Sequence, residues 1–223
     1  AESDTRFSKI TASISDNSAL IKQDIQKAYN TIEDINNRMN ITENDKAFGL
    51  SELHYDLSVY DIFGILAKGG TLVLPEGDEK RDPSYLANMT VKHGITIWNS
   101  VPAYMQMMME YASSFNDLKF PSLRKIMLSG DFIPLDLPDM CLSKMENAEV
   151  YSLGGATEGS IWSIIYKYEG LRPDDKTILY GKPLASQEFR ILDQNGDEGA
   201  MYVEGELYIV GDGVAQGYLG DEE

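Results

Sequence analysis

Residues Ser152-Leu-Gly-Gly-Ala-Thr-Glu158 bring two glycines, a hydroxyl and a carboxylate into one short stretch, directly after the β-rich Glu149-Val-Tyr151. A strand running into a glycine turn lets backbone N–H groups approach a ligand closely. The Thr157 hydroxyl could then bond a phosphate oxygen, and the Glu158 carboxylate offers Mg2+ a hard oxygen ligand. The same residues also fit a plainer role, a strand ending in a Gly turn with Thr157 or Ser160 capping a short helix. A second carboxylate, Asp56, opens an otherwise apolar stretch and suits an N-cap that accepts a backbone N–H. His54, His93 and Cys141 are scattered. Neither a His/Cys metal cluster nor a His/Cys nucleophilic mechanism is therefore expected.

The elements that must position these groups read as alternating strands and helices. Ile21, Ile25, Ala28, Ile32, Ile35 and Met39 form one apolar stripe at helical spacing, which predicts a docked amphipathic helix from about residue 17 to residue 40. Residues 1–16 read as a polar tail. Strands are expected over 46–51, 71–75, 95–98, 125–128 and 149–151. Helices are expected over 57–68, 83–92, 102–112 and 137–145, the third with Pro102 in its first turn. This alternation argues for a mostly parallel sheet covered on both faces. After Tyr166 the helical periodicity stops. Short strands over 177–180, 188–193, 205–210 and 214–219, broken by glycine turns, suggest a small antiparallel, barrel-like β unit. The expected organisation is a tail and helix start over 1–26, an α/β core over 27–165 and a truncated β subdomain over 166–223.

Composition narrows the function class. The 223 residues carry a formal charge of −17, which argues against nucleic acid or an anionic membrane surface as a partner. Apolar and charged contents of 43% and 25% are those of an ordinary globular chain. No run is long and apolar enough for a membrane span, and the start lacks a signal-peptide pattern. The lone cysteine points to a reducing compartment and a cytoplasmic location.

Five collinear segments resemble the adenylation domains of nonribosomal peptide synthetases. They are Tyr55-Asp-Leu-Ser-Val-Tyr-Asp-Ile-Phe63, Trp98-Asn-Ser-Val-Pro102, Leu128-Ser-Gly-Asp131, Ser152–Glu158, and Gly205-Glu-Leu-Tyr-Ile with Val214-Ala-Gln-Gly-Tyr-Leu219. The resemblance runs from about Ala28 to the C-terminus, and Ser152–Glu158 matches the variant of modules paired with cyclisation domains. It implies an ATP-dependent ligase that forms an aminoacyl-AMP with Mg2+ and loads a phosphopantetheine thiol on a carrier protein. Asp56 would pair with the substrate α-ammonium, Thr157 would contact the α-phosphate, and Glu158 would help hold Mg2+. Gly130, Asp131, Ser152, Gly154 and Gly155 would surround the nucleotide. Gly154 departs from the common family form, which has an aromatic residue there to stack on the base.

By the same resemblance, the amino-acid pocket comprises Asp56, Leu57, Tyr60, Asn99, Met127, Ser129, Leu153, Ile161 and Trp162. That set is similar to the signature of cysteine-activating domains, as in siderophore or thiazoline peptide biosynthesis. Asn99 and Ser129 supply polar contacts in a small apolar pocket suited to a short thiol. Singly, Leu57, Met127, Leu153 and Ile161 are also ordinary core residues.

A complete domain of this kind would add a Ser/Thr/Gly-rich phosphate loop, a ribose-gripping Asp and a lobe with a catalytic lysine. Without them, most transition-state charge stabilisation is missing, and the isolated chain is expected to be inactive. Two other readings remain open at this point. One is a non-catalytic binding or scaffold module; the other is an aryl- or acyl-activating ligase, against which Asp56 argues.

Overall fold

The computed structural model describes residues 2–77, 79–201 and 203–218, with residues 2–20 described by backbone alone. Helix α1 spans Glu2–Met39. It therefore begins at Glu2, where the sequence suggests a tail. Polar residues of fair helix propensity extend a helix whose apolar stripe marks only its docked half.

Strands β1 (Lys46–Gly49), β2 (Thr71–Val73), β3 (Ile97–Ser100), β4 (Lys125–Leu128) and β5 (Glu149–Gly154) run parallel. β6 (Ile164–Lys167) and β7 (Lys182–Pro183) add antiparallel strands beside β5. The seven-stranded order is β2-β1-β3-β4-β5-β6-β7. The crossovers are helical: α2 (Leu57–Val59), a π turn over Tyr60–Gly64 and α3 (Ile65–Ala67), then α4 (Pro83–His93), α5 (Pro102–Ser113) and α6 (Leu137–Lys144). Asp82 caps α4 by accepting from Ser84 N at 2.8 Å, with Pro83 in the first turn and Gly94 closing it in the left-handed region, as capping chemistry dictates.

Strand alternation splits the apolar residues into two cores. Phe48, Trp98, Ile126, Leu128 and Val150 face one core, with residues of α4, α5 and α6. Ala47, Ile97, Met127, Tyr151 and Leu153 face the other, with Ile32, Ile35 and Met39 of α1 and Leu57, Tyr60 and Ile65. The near-continuous apolar strands of a doubly covered parallel sheet follow.

At the strands' starting edge, Asp45, Thr96 and Arg124 each stand just ahead of a neighbouring strand. Asp45 accepts from Arg124 Nε at 2.8 Å and from Thr96 Oγ1 at 2.7 Å. Arg124 also donates to the Met39 and Asn40 carbonyls. Burial works to raise the Asp45 pKa, but bonds from Arg124, Thr42 and Thr96 outweigh it and leave it lowered. This cluster ties the end of α1 to the sheet.

Beyond Tyr166 the expected barrel-like unit takes another form. The expected boundary at 166 falls inside β6, and residues 177–180 form no strand. β8 (Gln187–Leu192) and β9 (Glu206–Gly211) make a separate two-stranded antiparallel sheet. Residues 214–218 form no strand, and Leu219, the end of that expected segment, lies outside the described residues. Among the described residues no helix is long and apolar enough to cross a membrane.

Candidate functional site

From β1 the chain turns one way to β2 and then crosses back to β3, so the β1/β3 junction is a topological switch point. Ligands of open α/β sheets bind beyond the strand C-termini at such a point. A cavity of about 1170 Å3 opens there, lined by residues following β1, β3, β4 and β5.

Six of the nine residues expected around an amino acid line it: Asp56, Leu57, Ser129, Leu153, Ile161 and Trp162. Six expected around the nucleotide do so as well: Gly130, Asp131, Ser152, Gly154, Gly155 and Thr157. Tyr60, Asn99 and Met127 are not on the cavity surface; each is at most 1% exposed. They form the layer behind it. The Tyr60 ring meets Trp162 edge-on with centroids 5.0 Å apart, and its hydroxyl donates to Asn36 Oδ1 at 3.0 Å.

Asp56 precedes α2, yet its side chain makes no capping bond. Its Oδ2 instead accepts from Thr157 Oγ1 at 2.9 Å, across 101 positions of sequence. Thr157 lies within a one-turn 3-10 helix, Thr157–Gly159, and does not cap it. The plainer roles for these two residues are thus not the ones the fold uses. Glu158, on the same turn, is exposed and off the cavity surface. Its Oε1 accepts from Tyr218 Oη at 2.6 Å, and that bond is the main reason its pKa is lowered.

One polar pair stands on the cavity floor, and a second lies behind it. Trp162 Nε1 donates to Ser129 Oγ at 3.0 Å, which leaves the Ser129 O–H as a donor. Below it, Asn99 Nδ2 donates to Asp61 Oδ1 at 2.8 Å, while Asn99 Oδ1 is buried with no partner among the described residues. Burial pushes the Asp61 carboxyl up to about 6, against the opposing bonds from Asn99 and Ser51.

The wall between β5 and β6 is tightly drawn. Ser163 N donates to Gly154 O at 2.8 Å. A Cβ on Gly155 would lie 2.8 Å from Ser163 N and 2.9 Å from Trp162 Cα, closer than side chains tolerate. Ile161, a β-branched residue, is held at φ +71° in this turn. Such backbone costs of the order of 1–3 kcal/mol, and surrounding packing must hold it in place. Gly155→Ala is therefore expected to push Trp162 off Ser129 and destabilise the fold by about 2 kcal/mol, read as a lowered urea midpoint. An unchanged midpoint would show that the wall yields.

Several cavity residues carried no signal in the sequence. Arg81, Tyr104, Phe132, Ile178 and Tyr180 also line it, and Asp61 lies under it. Tyr180 arrives from a segment that looks like an ordinary strand. Asp61 had one sequence signal, an acid inside an apolar helix. Among the described residues, no group of three or more His, Cys, Asp or Glu could hold a metal by itself.

The family model for AMP-binding enzymes matches residues 22–219. Bacitracin synthase 1 of Bacillus licheniformis is 52% identical over 194 residues, covering 87% of this chain and 4% of that protein. The anguibactin system regulator of Vibrio anguillarum is 46% identical, with 88% and 19% covered. Pyochelin synthetase PchF of Pseudomonas aeruginosa is 42% identical, with 87% and 11% covered. The chain thus spans under a fifth of these relatives' lengths. A crystal structure of the nonribosomal peptide synthetase FmoA3 with AMPPNP superposes with a TM-score of 0.85 at 35% identity, covering 88% of this chain and 21% of that one. FmoA3 with α-methyl-L-serine-AMP gives 0.84 at 35% identity, covering 87% of this chain and 22% of that one.

Proposed function

Because the chain belongs to the AMP-binding enzyme family, among the adenylation domains of nonribosomal peptide synthetases, we propose that it carries the amino-acid pocket and one wall of the nucleotide site for forming cysteinyl-AMP from ATP and L-cysteine. The observation that carries this reading is the 2.9 Å bond between Thr157 and Asp56. An anchor for an ammonium and a hydroxyl for a phosphate stand side by side, as a mixed anhydride of an amino acid and AMP requires.

Asp56 holds the α-ammonium and so orients the substrate carboxylate toward the α-phosphate. Thr157 turns its hydroxyl from Asp56 to an α-phosphate oxygen once the ammonium takes its place. Ser129 donates toward the substrate side chain. Asn99 supports the floor from behind, and Leu57, Leu153, Ile161 and Trp162 limit its size to a short thiol. Met127 and Tyr60 back that wall.

Glu158, an exposed carboxylate kept ionised by its hydrogen bond, fits Mg2+, which takes one or two carboxylates and completes its shell with substrate phosphates and water. The ion would neutralise charge on the departing pyrophosphate. In the whole synthetase the cysteinyl group would pass to a phosphopantetheine thiol on a carrier domain, with a cyclisation or condensation domain as neighbour.

Calorimetry of the chain with non-hydrolysable aminoacyl-adenylate mimics tests the proposal. The cysteinyl mimic is expected to bind at least about tenfold tighter than an aryl or acyl mimic. Equal binding of the aryl mimic would favour an aryl-activating ligase, and no binding of any mimic would favour an inert scaffold.

A further inference from the structure

Building on that reading, we infer that Tyr180 supplies the flat aromatic face against which the adenine base stacks, in the space that the missing side chain of Gly154 leaves free. The inference rests on how these two residues share one volume. A Cβ placed on Gly154 would lie 2.9 Å from Tyr180 Cζ and 3.0 Å from its Oη. A side chain at 154 would therefore push this ring out of its present place.

The backbone that follows the ring is closely fixed. Gly181, which follows it, sits at φ +108°, where a Cβ would run into the Ile165 carbonyl. The next residue, Lys182, is registered against Ile165 in the β6–β7 pair. The ring thus arrives on an ordered sheet edge and rests on the backbone of the loop that continues to Thr157. It is nevertheless 53% exposed and lines the cavity. The tip of the ring abuts Gly154, and more than half of the side chain stays accessible from the cavity side.

Other aromatic groups around the cavity are placed differently. Trp162 is 1% exposed, and its indole is spent on Ser129 and Tyr60. Tyr55 leans on His54 with centroids 4.3 Å apart. Tyr104 stands on α5, and Phe132 follows β4, the strand next to β5, apart from residues 154–157 in sequence. Tyr180 is both more than half exposed and seated against Gly154, where the loop that carries the phosphate-facing hydroxyl begins. A base stacked there would keep its phosphate within reach of Thr157.

The test titrates the 223-residue chain with AMP and with ribose 5-phosphate, following the adenine H2 and H8 protons by NMR. Stacking on an aromatic face moves those protons upfield, a signature that a merely structural role for Tyr180 would not give. Tyr180→Phe is expected to keep both the upfield shift and the affinity, within about twofold. Tyr180→Leu, which fills similar space without a π face, is expected to lose the shift and bind AMP about tenfold more weakly, with an unchanged circular dichroism spectrum. Retention of shift and affinity in Tyr180→Leu overturns the inference and leaves the proposed function standing. Ribose 5-phosphate binding as tightly as AMP also overturns it alone. If neither AMP nor any aminoacyl-adenylate mimic binds the native chain, the proposed function falls and this inference falls with it.

Discussion

Asp56→Ala is expected to weaken binding of a cysteinyl-adenylate mimic about 100-fold while leaving a mimic that lacks the α-amino group almost unaffected. Removing one member of a desolvated charge pair costs about 2–5 kcal/mol, and about 2.7 kcal/mol is 100-fold. The pair of ligands closes a double-mutant cycle, so the coupling between Asp56 and the ammonium is isolated from general damage to the cavity. Asp56→Asn sharpens the outcome. It still accepts the Thr157 hydrogen bond seen at 2.9 Å but carries no charge. It should therefore lose nearly as much affinity for the amino ligand as Ala does. Equal losses for both ligands in either variant would mean that Asp56 shapes the loop and does not read the ammonium.

The second large effect is on stability. Asp61 is 2% exposed, and burial pushes its pKa up to about 6 from 3.8. Between about pH 4 and pH 6 the folded chain then binds more protons than the unfolded chain, so this group makes stability fall as pH rises through that window. Above it, the buried ionised carboxylate is a standing cost. Asp61→Asn removes that cost, and its amide oxygen can still accept from Asn99 Nδ2. The variant is expected to be more stable than the native chain by on the order of 2 kcal/mol at pH 7.5, with the difference vanishing near pH 4. Urea titrations of both proteins across that range measure it. A variant less stable at pH 7.5 would show that Asp61 is held ionised by more than Asn99 and Ser51.

The parallel strands and their helices were legible because each is short, apolar and punctuated by Gly or Pro. The 152–158 loop and Asp56 stood out as polar groups placed where strands and helices meet. What escaped were features made by the sheet's far edge. Ile164–Lys167 is too short to distinguish from the end of the Trp162 segment, and its antiparallel pairing with β5 depends on a turn built from Ser160 and Ile161 at positive φ. Nothing local marks Ile161 for that backbone. The 177–180 segment alternates like a strand, yet it serves to carry Tyr180 to Gly154, a contact set by chain path. Three expected pocket residues, Tyr60, Asn99 and Met127, lie one layer deeper than the cavity surface, because Asn99 and Met127 sit within β3 and β4, short of the strand ends that open on the cavity, and Tyr60 packs inward from the π turn after α2.

That layering has a consequence for how such a chain can change over generations. Leu57, Met127, Leu153, Ile161 and Trp162 belong to the same apolar cluster as Ile32, Ile35 and Met39 of α1. On the proposed reading, substituting them to admit a larger or smaller substrate alters the volume of the interior itself, at about 2–5 kcal/mol for a large-to-small change. On that reading, a lineage that acquires a new building block also needs compensating changes in the interior that these residues share with α1. Attempts to graft a new preference by exchanging pocket residues alone should yield proteins that fail in the cell by unfolding before they fail by choosing the wrong amino acid.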